Sequence, residues 1–275
     1  MLTIDKDKCN QDGICVAECP LKIIDMKDGG FPRPVRGAEK LCIDCGHCVA
    51  VCPTGALTHD HLAPEECLAV NPEWMLDGPR AEHFLRCRRS IRTYKKKPVD
   101  RELLAELIRI ARYAPSGHNT QPVRWQVIHE ADEVQRLSGL AVNWMRHQIE
   151  THPGMAKMMH LDLVVAAWDM GVDTISRGAP HLILANGSRD NPAAQSACTI
   201  ALTYLDLAAP SLGLGTCWNG FFNAAAMQWE PLQQALGLEK RQVNFGAMMV
   251  GFPRFAYHRM PERKAPKIRW GAASG

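Results

Sequence analysis

The chain has 275 residues, 46% hydrophobic and 22% charged, a globular composition too apolar for a disordered chain and long enough for two compact units. Its 32 basic and 29 acidic residues leave a formal charge of +3, too balanced to point to a nucleic-acid partner, and the chain carries no basic stripe with interleaved aromatics. No apolar run approaches the roughly 18 residues of a membrane span, and Met1 to Asp7 lack the basic-then-apolar design of a secretion signal, so a cytoplasmic protein is expected.

Seven of the eleven cysteines fall within the first 52 residues, which marks a separate module. In a reducing compartment such clustered thiols read as metal ligands rather than disulfides. From Cys42 the spacing through Cys45, Cys48 and Cys52 to Pro53 is C-x2-C-x2-C-x3-C-P. It wraps three thiolates around one face of a cubane cluster and sends the fourth elsewhere. A copy lies 33 residues earlier, with Cys9, Gly13, Cys15, Val16, Ala17, Cys19 and Pro20 aligned on Cys42, Gly46, Cys48, Val49, Ala50, Cys52 and Pro53. An internal duplication accounts for it, and Asp12 stands where the second copy has Cys45. Structural zinc is the alternative use of two four-ligand sets, but zinc sites usually pair two separated C-x2-C knuckles.

Over residues 1–62 the segment resembles the two-cluster bacterial ferredoxins, in which the fourth Cys of each run ligates the other run's cluster. The resemblance implies a small ferredoxin-like domain. Its cluster II, a [4Fe-4S], would use Cys42, Cys45, Cys48 and Cys19, and its cluster I would use Cys9, Cys15 and Cys52. Asp12 is either the fourth ligand of cluster I or a turn residue before Gly13. A carboxylate is a harder, more labile iron ligand than a thiolate, so cluster I is expected as [4Fe-4S] or [3Fe-4S].

Residues 63–83 read as a linker, and His59 and His61 before it as part of a solvated segment rather than a metal pair. A short helix is expected over 80–88 with Phe84 and Leu85 facing inward. Asp100 is placed to cap a helix with an apolar stripe at Leu103, Leu104, Leu107, Ile108, Ala111 and Ala114, stopped by Pro115. Strands are expected at Trp125 to His129, His181 to Ala185 and Val243 to Gly251, and a helix apolar on nearly every face opens at Asn191-Pro192 and runs through Leu207. The stretch from Asn143 to Asp173, rich in methionine, is either a substrate-side lid or an amphipathic helix pair of the core. Residues 84–275 thus form an α+β domain.

Four segments of that domain carry a second resemblance: Arg88-Arg89-Ser90-Ile91-Arg92, Ala114 to Pro122, Gly213 to Trp218, and Pro261-Glu262-Arg263-Lys264. In order and spacing they resemble the FMN-dependent nitroreductase family, which implies a mixed sheet flanked by helices. Guanidinium groups flanking a hydroxyl suit a phosphate dianion, as at Arg88, Arg89, Ser90 and Arg92. By resemblance, Arg263 would close over the same phosphate, with Lys264 beside it. The turn of Pro115, Ser116, Gly117 and Asn119 would meet the flavin ring from the other subunit of a homodimer with FMN at its interface. Thr216, Cys217, Trp218, Asn219 and Gly220 would lie along the ring, with a backbone N–H near Asn219 or Gly220 facing flavin N5.

Together the two modules imply an FMN- and iron-sulfur-dependent oxidoreductase. Its clusters would exchange single electrons with FMN, and reduced FMN would reduce a small planar acceptor such as a nitroaromatic or a quinone. The external donor is expected to be reduced ferredoxin or NAD(P)H. Two alternatives stay open: an electron relay between protein partners, and flavin-first oxidation of NAD(P)H with the clusters as outlet. No catalytic side chain is singled out, because no general acid is evident near the ring.

Overall fold

The computed structural model describes residues 1–271. The chain divides into two compact units: Met1–Met75 with Pro115–Pro122 and Asn191–Ala197, and Leu76–Ala114 with Val123–Asp190 and the chain from Cys198 onward. None of the described helices is long and apolar enough to cross a membrane.

The smaller unit holds β1 (Leu2–Ile4), α1 (Ile14–Glu18), β2 (Ile24–Asp25), β3 (Arg33–Pro34), α2 (Ala38–Leu41), α3 (His47–Ala50) and β4 (Leu57–His59). β1 pairs antiparallel with β4, and β2 with β3. The duplication is written into the backbone as well as the cysteines. Left-handed residues recur in step: Gln11 (φ 62) with Asp44 (φ 50), Gly13 (φ 71) with Gly46 (φ 70), and Lys22 (φ 52) with Gly55 (φ 61). Gly13 and Gly46 each precede the first residue of a short helix, a position where the left-handed conformation favours glycine. Two small cores, Cys19 with Ile23, Ile24 and Ala38, and Cys15 with Val49 and Leu57, are built partly from the cysteines themselves.

The larger unit contains α4 (Gly78–Cys87), α5 (Arg101–Ala111), β5 (Arg124–Ile128), α6 (Ala131–Thr151), α7 (Pro153–Met158), α8 (Leu161–Asp169) and β6 (His181–Ser188). It continues through α9 (Ala194–Ala208), whose first turn groups with the smaller unit, to β7 (Gly215–Trp218), α10 (Gly220–Gln228), α11 (Glu230–Ala235) and β8 (Gln242–Gly251). The sheet order is β5-β6-β8-β7. β6 and β8 are buried on both faces and their residues alternate between two cores. Leu182, Leu184, Ala247 and Met249 face α6 and α10, while Ile183, Ala185, Met248 and Val250 face α5 and α9.

The structure corrects three expectations. The sheet is not mixed: all three pairings among the described residues are antiparallel. β6 and β7 do run in the same direction, as a single-helix crossover through α9 requires, but β8 inserts between them and opposes both. α4 has no buried residue, and Phe84 and Leu85 are 37% and 57% exposed, because no hydrophobic core among the described residues takes in a residue of that helix. His59 is only 7% exposed: it ends β4 opposite Leu2, and its backbone exchanges hydrogen bonds with Leu62, so it is part of the smaller unit's wall and not of a solvated segment.

Candidate functional site

In the smaller unit one cavity is lined by Cys19, Cys42, Cys45 and Cys48, together with Ile23, Ile24 and His59. The four thiols come from two segments, brought together by α3 and the turn after α1. Burial pushes the Cys48 thiol up to about 11, and the neighbouring charges of Cys45 and Cys19 push the same way against the Val49 N–H. Burial likewise raises Cys42, with the Asp44 carboxylate and Cys45 adding to it against the Asp44 backbone N–H. The second set gathers at Cys15, raised first by burial and then by the charges of Cys52 and Asp12. Cys52 is lowered because hydrogen bonds from Thr54, Ala56 and Leu57 outweigh its burial. The electrostatic neighbours thus sort the thiols into two groups, each mixing both copies of the repeat: Cys19 joins the second copy's three, and Cys52 joins Cys15. Cys9 is half-buried, and Asp12 is exposed and accepts the Ile14 N–H at 3.0 Å. No cysteine is disulfide-bonded among the described residues.

In the larger unit a second cavity, of about 390 Å³, is lined by Arg92, Met159, Thr174, Ile175, Arg177, Cys217, Trp218, Asn219, Gly220, Phe221 and Met249. It collects five residues expected from the sequence, Arg92 and Cys217 to Gly220. β7 supplies Cys217 and Trp218 at the edge of the sheet. The 88–94 segment is fastened beside it, because Ile91 N–H donates to Thr216 O at 2.8 Å and Tyr94 Oη donates to Ile91 O at 2.6 Å. Gly215 is required there: a Cβ would stand 2.6 Å from Ile91 Cγ1 and 2.8 Å from Pro253 Cγ.

Asn219 is buried and builds the floor. Its Oδ1 accepts the Phe222 N–H at the start of α10, and its Nδ2 donates to Ser176 Oγ at 3.0 Å, which meets Ser138 Oγ at 2.7 Å. Its backbone N–H is committed to Ala247 O at 2.8 Å, so of the two donors expected near the ring only the Gly220 N–H has no acceptor among the described residues.

Arg177 and Thr174 were not legible from the sequence, whereas Met159 belongs to the methionine-rich stretch expected as either a lid or a core helix pair. Arg177 sits at φ 57 on a turn held by Asp173, whose carboxylate accepts the N–H groups of Ile175, Ser176 and Gly178. An Asp followed within five residues by Arg-Gly is the local signal the sequence carries. Burial raises the Cys217 thiol, and the charges of Arg92 and Arg177 pull against it, so both guanidinium groups project their field into this space.

The remaining expected residues lie elsewhere. Arg88 Nη1 pairs with buried Asp206 at 3.2 Å and lies 3.5 Å from Ser90 Oγ, and Thr216 Oγ1 donates to the same carboxylate. Burial raises Asp206, while the Thr216 hydroxyl and Arg88 oppose the shift. Arg89 has a buried Nε without a partner among the described residues and stacks over Tyr257 at 5.5 Å. The Pro115, Ser116, Gly117 and Asn119 turn groups with the smaller unit, where Asn119 Nδ2 donates to Ile43 O (3.2 Å) and Asp44 O (2.9 Å). Arg263 and Lys264 are exposed in the stretch without regular structure after β8, and Glu262 beside them pairs with Arg86 at 3.1 Å.

Comparison with known proteins accounts for both units. A family model described as a 4Fe-4S dicluster domain matches residues 8–57, and the nitroreductase family model matches residues 85–252. Ferredoxin 7Fe of Hydrogenibacillus schlegelii is 40% identical over 57 residues, 20% of this chain and 67% of its own length. YfhC of Bacillus subtilis (strain 168), named as an NAD(P)H nitroreductase, is 23% identical over 174 residues, 62% of this chain and 82% of its own. Among solved structures, a nitroreductase with bound FMN from Desulfitobacterium hafniense DCB-2 shares the fold at a TM-score of 0.55 and 21% identity, covering 70% of this chain and 96% of that one. The chain belongs to the nitroreductase family of oxidoreductases and carries a two-cluster ferredoxin domain ahead of it, a ferredoxin–nitroreductase fusion.

Proposed function

We propose that the protein is an FMN- and iron-sulfur-dependent oxidoreductase: clusters in the smaller unit exchange single electrons with FMN, and reduced FMN reduces a small planar acceptor. The observation that carries the reading is the pairing of a thiol-lined cavity with an arginine-lined one in a single chain. The 1–62 cluster domain, 63–83 linker and 84–275 flavin domain are part of the same proposal.

The thiol sets fit iron-sulfur clusters. The buried Cys48 thiol, held well above its ordinary value, is costly to ionise alone, and a cationic cluster core supplies the missing countercharge. Cys42, Cys45, Cys48 and Cys19 would hold one cluster, and Cys9, Cys15, Cys52 and Asp12 the other. The larger cavity fits FMN, because its size is that of a cofactor pocket and its lining holds two guanidinium groups and a buried Thr174 hydroxyl with no partner among the described residues. Bound there, FMN would supply hydride and single-electron chemistry.

The chain's own residues do the rest. Arg92 and Arg177 would supply positive charge to the flavin, and Arg89, with an unpaired Nε, is the nearest candidate in sequence for its phosphate. Arg88 and Ser90, tied to Asp206, would position that segment, with Arg263 and Lys264 closing over it. The Gly220 N–H would face the ring, with Asn219 fixing its direction and Thr216, Cys217 and Trp218 lining the side. Trp218, 37% exposed, and Met159 offer an apolar rim on which a planar acceptor can stack. A homodimer, with the Pro115 to Asn119 turn serving the partner's flavin, completes the proposal, as do a ferredoxin or NAD(P)H donor and a cytoplasmic setting.

Anaerobic stopped-flow reduction tests it, following cluster bleaching and flavin absorbance separately after mixing with reduced ferredoxin, NADH or NADPH. Cluster bleaching ahead of the flavin is the expected result. Flavin reduction by NAD(P)H first, with the clusters following, would make them an outlet, and a protein purified anaerobically without either chromophore would overturn the reading.

A further inference from the structure

His59 lies outside both cysteine runs, yet it faces the cavity they form. Its Nε2 is 3.6 Å from Cys42 Sγ and 3.2 Å from Asp44 Oδ1, and the three atoms lie within 4.8 Å of one another. The ring's other nitrogen decides which atoms carry hydrogen. Nδ1 accepts the backbone N–H of His61 at 3.3 Å, so the neutral ring bears its hydrogen on Nε2, the nitrogen aimed at the sulfur and the carboxylate.

Every part of this arrangement is held. His59 ends β4 opposite Leu2, exchanges backbone hydrogen bonds with Leu62 and is 7% exposed. The Cys42–Cys45 loop is clamped from the other side by Asn119, which donates to the carbonyls of Ile43 and Asp44. The duplication supplies an internal control. The residue 33 positions before His59 is Met26, and the one 33 before Asp44 is Gln11, so the first copy lacks both the ring donor and the competing carboxylate.

We propose that His59 sets the reduction potential of the cluster held by Cys19, Cys42, Cys45 and Cys48, donating its Nε2–H toward the Cys42 sulfur, with Asp44 as the opposing acceptor. The proposal rests on the cluster assignment made above. A hydrogen bond to a ligating sulfur stabilises the extra negative charge of the reduced cluster and raises its potential. Asp44 works against that twice, by sharing the donor and by adding negative charge. The device acts on one cluster alone and sets it apart from its duplicate. His59 is a positioning and tuning residue, not an iron ligand.

The test is an EPR-monitored redox titration of the full-length holoprotein and its His59→Phe, His59→Gln and Asp44→Asn variants, with iron counted in each. His59→Phe should move one cluster to a more negative potential and leave the other unchanged. His59→Gln, which retains an N–H donor, should return part of the shift, and Asp44→Asn should move the same cluster to a more positive value. Potentials equal to wild type in fully loaded His59→Phe would overturn the proposal, as would equal shifts of both clusters. If His59→Phe fails to take up iron, the native protein grown on 15N-histidine decides the matter. A 15N coupling to one reduced cluster, absent in His59→Gln, supports the bond, and no coupling in the native protein overturns it. A native protein without iron-sulfur signals would instead overturn the cluster assignment itself, a distinguishable failure.

Discussion

The two cavities rest on different kinds of support. In the smaller unit the thiols are themselves part of the cores: Cys19 and Cys15 are packed with only a few aliphatic neighbours each. In the larger unit the arginine-lined cavity sits at the edge of a sheet whose two central strands are buried on both faces. A short chain with so little apolar burial needs a staple, and here the staple and the functional group are the same object. The larger unit builds its scaffold first and its site second. The lesson is that losing the ligand should unfold one site and merely empty the other.

The largest expected effect comes from stripping the iron. Chelation should raise amide exchange throughout residues 1–62 by orders of magnitude and leave β6 and β8 protected, because ligand binding is folding free energy only where no other core exists. Release should quicken as pH falls. Cys48, near 11 without metal, and the raised Cys15 and Cys42 bind protons readily across the acidic and neutral range, so acid favours the cluster-free thiols. Equal loss of protection in both units would break the comparison.

His181 probes the other side of it. It is fully buried, stacked on His129 at 4.6 Å, with Nε2 accepting the Val99 N–H at 2.8 Å and Nδ1 donating to His129 O at 2.6 Å. His181→Phe leaves a buried N–H and a half-buried carbonyl without their partner and should cost about 2–4 kcal/mol in urea unfolding of the larger unit, with cluster content unchanged. Burial lowers His181 from its ordinary 6.5, so the folded state binds that proton less readily than the unfolded one. Its contribution is therefore present above pH 6.5 and lost as pH falls through the depressed folded value, and the Phe variant should lack that acid limb.

Arg177→Ala should weaken FMN binding about 10- to 100-fold, the worth of about 1.5–3 kcal/mol for a charged hydrogen bond, without moving the unfolding midpoint of the cofactor-free protein. A change in the midpoint instead of the affinity would assign Arg177 to the fold. Gly246→Ala is expected to do less. A Cβ there would press on Leu202 Cδ1 and come within 3.0 Å of Trp218 Cζ3, so about 1–3 kcal/mol of overpacking should appear as a lower urea midpoint and an altered Trp218 fluorescence.

Different residues were legible for different reasons. The cysteine runs are read from spacing, since a turn and one short helix carry Cys42, Cys45 and Cys48 into one cavity. The strands at 124–128, 181–188 and 242–251 announced themselves by length and apolar content, and α9 by apolar residues on nearly every face. β7 did not, because Gly215–Trp218 is four residues long and takes its strand conformation from β8 rather than from its own preference. His59 looked like a solvated histidine beside Asp60, and only the pairing of β4 with β1 turns it inward.

The amino-acid sequence by itself determined the chemistry available: two interleaved sets of thiols with one carboxylate, a basic segment at 88–92, and two modules that each recur in known families. Those features survive in one dimension because their geometry is set by covalent spacing of a few residues. The tertiary structure decided which of these groups face one another. It took Arg88 out to Asp206, brought Arg177 in beside Arg92, spent the Asn219 N–H on Ala247, and set His59 against Cys42. Each of those pairings joins residues 17 to 118 positions apart, and such meetings are fixed by strand register and core packing rather than by any local preference of the chain.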